Sequence, residues 1–177
     1  VTAYIALLRA INVGGNRAIR MADLVDVFVA QGCGDVRTYI QSGNVVFTDR
    51  GRAEPTLVDD LQRSIEQATG FDVPVILRSA DEWAGVLDQN PYPGLEPTKL
   101  HVAFLAEAPA AAMVAKVGPD AFSPEQYLVA GRDVYLHLPN GMGQSKLARA
   151  LGRTLLCSPA TTRNWRTIEI LRGLVEG

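Results

Sequence analysis

Cysteine and histidine are scarce in this 177-residue sequence, with two of each. Cys33 and Cys157 are far apart, and neither stands beside a second Cys or a paired His. That spacing suits neither a disulfide framework nor a zinc site, and free thiols in a reducing compartment are expected. His101 and His137 fall in expected strands without ligand-spaced neighbours, so no metal site is expected. No Ser-His-Asp or Cys-His order defines a nucleophile either. Long apolar runs are missing, since none approaches the ~18 residues that cross a bilayer. Val1–Leu8 lacks a basic start and a small-residue cleavage site, so no signal peptide is expected, and the cytoplasm is the expected location. The net charge of −2 gives no general pull toward nucleic acid or an anionic membrane.

What is present is the composition of an ordinary globular protein, 47% hydrophobic and 20% charged. Charge is unevenly spread: residues 1–50 sum to +1, residues 51–131 to −7 and residues 132–177 to +4. A basic last third beside an acidic middle suits a face that attracts an anion, and solvated helix faces account for it equally well.

Periodicity divides the chain into elements. Thr2–Leu8 reads as a buried strand, and Met21, Leu24, Val25 and Phe28 recur at helical spacing before Gly32 and Gly34. Val36, Thr38 and Ile40 alternate, as do Val45 and Phe47, across a hairpin-type break at Gln41-Ser42-Gly43-Asn44. Pro55 opens a helix whose stripe is Leu57, Leu61 and Ile65, closed by Gly70. Val73–Leu77 reads as a strand, and Ser79 with Glu82 forms a capping-box signature before a short helix. This β-α-β-β-α-β order is that of a ferredoxin-like unit, with one helix added. Asn90-Pro91-Tyr92-Pro93-Gly94 is the best linker. Beyond it the pattern returns: a strand at Leu100–Phe104, a helix from Pro109, a hairpin of Gln126–Val129 with Val134–Leu138, and helices around Leu147–Leu151 and Trp165–Val175. The expected class is α+β with two ferredoxin-like halves, residues 1–90 and 91–177, related by a duplication seen in element order. A helix stands where the second half should have its last strand.

Three polar segments stand out. Arg9 to Arg20 joins a strand end to a helix start and holds Asn12, Gly14, Gly15 and Arg17. Unpaired backbone N–H groups beside arginines suit a phosphate or carboxylate, although the adjacent glycines do not fit the G-x-G-x-x-G dinucleotide fingerprint. Asn140-Gly141-Met142-Gly143-Gln144-Ser145-Lys146 again lies between a strand and a helix. It lacks P-loop spacing; Ser145 suits a helix cap, and Lys146 in a first turn opposes the helix dipole unless an anion is near. Thr161-Thr162-Arg163-Asn164 reads as a helix start with a Thr cap, placing Arg163 and Asn164 within reach of a ligand. Gln41, Ser42 and Asn44 join the candidates, although a tight turn accounts for their residue types.

Taken together these segments resemble the domain of unknown function 1697 family. The resemblance rests on Tyr4–Gly15, Thr38–Phe47, Asn140–Leu147 and Thr161–Thr167, in order along nearly the whole chain. Ala10 stands where the family more usually has Gly. The resemblance implies a bacterial cytoplasmic α+β protein of about this length and brings no activity, cofactor or catalytic residue.

The leading expectation is a binding or catalytic site for a small anionic or phosphate-bearing ligand such as a nucleotide. It would be built from Arg9, Asn12, Gly14, Gly15 and Arg17, with Gln41, Ser42 and Asn44, and with Asn140, Gly141, Gly143, Ser145, Lys146, Arg163 and Asn164. Single-stranded nucleic acid stacked on Tyr4, Tyr39, Tyr127 and Tyr135 is the second reading, opposed by the net charge and the missing RNP strand motif. A non-catalytic assembly module is the third. No cofactor is indicated.

Overall fold

A computed structural model describes residues 1–15, 17–155 and 158–177. Asn16 of the first polar loop and Cys157 lie outside the described residues. The described residues form a mixed α+β fold with two four-stranded antiparallel sheets and six α-helices. The chain divides into two compact units, Val1–Gly85 with Leu171–Gly177, and Val86–Ile170. No described helix is long and apolar enough to cross a membrane.

The first unit runs β1 (Thr2–Leu8), α1 (Met21–Ala30), β2 (Gly34–Tyr39), β3 (Asn44–Asp49), α2 (Glu54–Thr69), β4 (Val75–Ser79) and the start of α3 (Ala80–Asp88), with strand order β2-β3-β1-β4. Strand alternation sends Tyr4, Ala6 and Leu8 to the helix side, where they pack with Phe28 of α1 and with Leu57, Leu61 and Ile65 of α2. These α2 side chains recur every four residues and are fully buried, so each contributes roughly 1.5–3 kcal/mol. Proline in the first turn starts α2, and left-handed Gly70 (φ 80°) ends it with its N–H on Glu66 O at 2.7 Å. The capping box forms as expected: Ser79 N–H donates to Glu82 Oε2 (2.8 Å), and Glu82 N–H donates to Ser79 Oγ (3.2 Å). β4 begins two residues later than its apolar run because Pro74 has no N–H to give the ladder.

The second unit holds β5 (Leu100–Leu105), α4 (Ala111–Val114), β6 (Gln126–Ala130), β7 (Asp133–His137), α5 (Lys146–Thr154), β8 (Ala160–Asn164) and the first half of α6 (Trp165–Glu176), with strand order β6-β7-β5-β8. Two expectations need correcting here. The helix from Pro109 is a single turn, Ala111–Val114. Thr161–Asn164 is not a helix start but the strand β8, paired antiparallel with β5 from His101↔Asn164 to Leu105↔Ala160. Its alternation is genuine, with Thr161 and Arg163 buried and Thr162 and Asn164 exposed, but the inward residues are polar and gave no apolar signal. Asn164, rather than the Thr pair, caps α6 by accepting from Thr167 N–H at 2.8 Å. The register sets Leu100 opposite His137 and His101 opposite Leu136, so the two histidines face opposite sides of the sheet. The edge strand β6 reads Gln-Tyr-Leu-Val-Ala, without charge or proline.

Candidate functional site

The first polar segment and the Gln41–Asn44 turn meet at one end of the first sheet. Arg9 follows the last residue of β1, and its N–H donates to Pro74 O at 3.0 Å. The Asn12 carboxamide then ties the loop together. Its Oδ1 accepts from Ile19 N–H (2.8 Å), while its Nδ2 donates to Ile19 O (3.0 Å) and, across 29 residues, to Gln41 O (2.8 Å). Leu8 N–H donates to Gly43 O at 2.8 Å from the same hairpin turn. Asn44 is buried and spends its Nδ2 on Tyr39 O and Ser42 Oγ, both at 3.0 Å. Asn12 and Asn44 thus hold the corner's shape.

The backbone at this corner is costly. Of the described non-glycine residues with positive φ, four are here: Ala10 (55°), Asn12 (55°), Arg17 (52°) and Ile40 (49°). Each such residue costs about 1–3 kcal/mol, and a β-branched one like Ile40 is the least expected. Gly14 (φ 62°) and Gly15 (φ 76°) continue the left-handed run with open space around them. Gly43 (φ 79°) is different, because a Cβ there would come within 2.7 Å of Leu8 Cβ and 2.8 Å of Ile11 Cδ1. The close approach of turn and loop therefore requires glycine.

The cations differ in what surrounds them. Arg17 is exposed, with its guanidinium 5.9 Å from the centre of the Phe71 ring. Arg20 pairs with Asp23 at 2.6 Å, and α1 has no side-chain cap at its N-terminus. Arg9 is half-buried, and its side chain makes no hydrogen bond or ion pair with any described residue. Gln41 is exposed in the hairpin turn, its side chain likewise unengaged among the described residues. A cleft of about 240 Å³ behind the loop is lined by Ile19, Leu24, Val27, Ile65 and Thr69. That is smaller than the ~300 Å³ at which small-molecule pockets begin.

The other candidate residues belong to the second unit. The loop Asn140–Lys146 leaves β7, and Asn164 ends β8, at the same end of that sheet with β5 between them. Asn140, Gly143 and Lys146 are exposed and Gly141 half-buried, whereas Ser145 is fully buried and caps α5 by accepting from Ala148 N–H at 2.8 Å. Glu125, which sequence reasoning missed, accepts from Leu147 N–H at 2.9 Å. The protein's own carboxylate thus accepts at the α5 N-terminus. Arg163 is 8% exposed and donates to Thr161 Oγ1 (2.7 Å) and Thr162 O (2.9 Å). Burial pushes its guanidinium down to about 10, so it stays a cation at neutral pH.

Tyrosines offered as stacking platforms are largely spent on the interior. Tyr4 stacks on Phe47 (ring centres 5.7 Å apart), Tyr127 donates to Val117 O, and Tyr135 donates to Val86 O at 2.8 Å. Burial, with Asp133 adding to it, pushes the Tyr135 hydroxyl up to about 12.

Residues 1–135 match the family described as protein of unknown function (DUF1697), and this match covers both loops of the corner. The chain belongs to that family. No curated protein matches its sequence. Among solved structures, it is similar to the conserved bacterial protein SP0830 from Streptococcus pneumoniae, with a TM-score of 0.81 at 23% identity over 98% of each chain. That likeness concerns the fold.

Proposed function

We propose that the corner of the first unit binds a small anionic or phosphate-bearing ligand. The Arg9 guanidinium would grip the anion, the amides around Gly14 and Gly15 would line it, and Gln41 would read a neutral edge. The carrying observation is the Asn12 clamp, which fixes the glycine loop against the hairpin turn at 2.8 Å. A strained, cross-tied corner with an arginine unengaged among the described residues is where a binding role best accounts for the conformational cost. A thermal-shift panel of nucleotides, phosphosugars and inorganic phosphate tests this. Binding at 100-fold over Kd stabilises by about 2.7 kcal/mol, a readily measured rise. Arg9→Ala should abolish it; a panel in which no anion raises the midpoint sinks the reading.

The same proposal extends to the scaffold, with two ferredoxin-like halves arisen by duplication and a cytoplasmic setting. The two strand orders support the halves, since both place the first strand between the third and the fourth. Equivalent rows also run across both sheets: Arg37, Val46, Ile5, Arg78 in one and Leu128, Tyr135, Val102, Arg163 in the other. Each row ends in a buried arginine that donates to the preceding residue's carbonyl, at 2.7 Å for Arg78 and 2.9 Å for Arg163.

A further inference from the structure

The proposed corner carries two apolar side chains in water. Val13 is 67% exposed and Ile40 is 51% exposed. Each alone would be unremarked, since single exposed hydrophobics are common. Their placement is what matters: Val13 follows Asn12 and Ile40 precedes Gln41, and the bond from Asn12 Nδ2 to Gln41 O joins those two neighbours at 2.8 Å. Ile40 also holds φ 49°, a conformation that glycine or asparagine takes with less strain. Its side chain is not repaid by burial. Stability of the isolated chain therefore does not account for isoleucine at this turn.

We infer that Val13 and Ile40 form the seat for a flat apolar group attached to the anion. The ligand class is then a nucleoside monophosphate or aryl phosphate rather than inorganic phosphate or a sugar phosphate. The inference rests on the anion site proposed above: the phosphate engages Arg9, and the ring lies on the two apolar side chains with Gln41 at its polar edge.

The test titrates inorganic phosphate, ribose 5-phosphate, adenosine monophosphate and 1-naphthyl phosphate into the full chain and its Ile40→Gly and Val13→Ser variants. Heat of binding, unfolding midpoint and size in solution are recorded. The two ring-bearing phosphates should bind on the order of tenfold more tightly than ribose 5-phosphate. Ile40→Gly should erase that preference, leave inorganic phosphate binding unchanged and raise the midpoint of the ligand-free protein. Equal affinity for all four probes, or a preference that survives both substitutions, overturns the ring seat while the anion site stands. Failure of all four to bind removes the anion site and this inference with it. A lowered midpoint in Ile40→Gly makes the side chain structural, and a change of oligomeric state with unchanged affinities makes it a subunit contact; either result overturns the inference.

Discussion

Ala10, Gly43 and Asn12 are where single substitutions separate backbone strain from packing. Ala10 is exposed at φ 55°, so Ala10→Gly relieves a left-handed side chain at some cost in unfolded-chain entropy. A net stabilisation of about 0.5–1 kcal/mol is expected in denaturant melts. Gly43→Ala should cost about 2–4 kcal/mol, because positive φ and a 2.7 Å clash with Leu8 act together. Asn12→Ala removes three hydrogen bonds and should destabilise by about 1–3 kcal/mol. It should also weaken anion binding although Arg9 remains. Equal affinity in that variant would detach the clamp from the site.

Within elements, charge placement decides the outcome. At the end of β3, Asp49 accepts from Gly51 N–H (2.9 Å), Arg52 N–H (2.8 Å) and Arg52 Nε (2.7 Å), and Arg52 Nη2 reaches Cys33 Sγ at 3.5 Å. Burial alone would raise the Asp49 carboxyl, but the bonds from Arg52 and Gly51 hold it below the ordinary range. A depressed folded value means the contribution is present above the unfolded value, about 4, and is lost as pH falls through the folded one. Asp49→Asn should therefore flatten the fall of the melting midpoint in acid, and an unchanged acid limb would contradict this. At α5, Glu125→Ala leaves the Leu147 N–H buried without its acceptor and should cost about 1–3 kcal/mol by chemical denaturation.

How much of this was legible in the sequence also depends on the element. The α2 stripe, the Gly70 stop and the Ser79/Glu82 box were readable because each is local. β8 was not, because its inward positions are Thr161 and Arg163 rather than aliphatics. The Asn12 bond to Gln41 and the Glu125 cap on α5 join residues 29 and 22 positions apart, a pairing no local pattern encodes. The candidate residues were readable as polar turn segments on either side of the Asn90–Gly94 linker, but the cross-tie that fixes the first-unit loop against its hairpin turn was not.

At the scale of the molecule, the central strands β1 and β5 each have a neighbour on both sides, while β2 and β6 lie at edges. Amide exchange should be slowest in the first pair and fastest in the second, and equal protection would contradict the sheet orders. The two rows of side chains gave no sequence signal because they hold unlike residues, Arg37 against Leu128 and Val46 against Tyr135, with only the arginines on β4 and β8 in common.

Of the edge strands, β2 and β6 are not equally guarded. β2 carries Asp35 and Arg37 and is broken by a register shift between Gly34 and Arg37, devices that discourage a foreign strand from docking. The uncharged β6 has no such defence, and Leu128 on it is 43% exposed. When the protein is concentrated or gently heated, this strand should be where chains begin to clump, growing sheet onto sheet. A lysine at position 128 should keep such samples clear by light scattering without lowering the melting temperature.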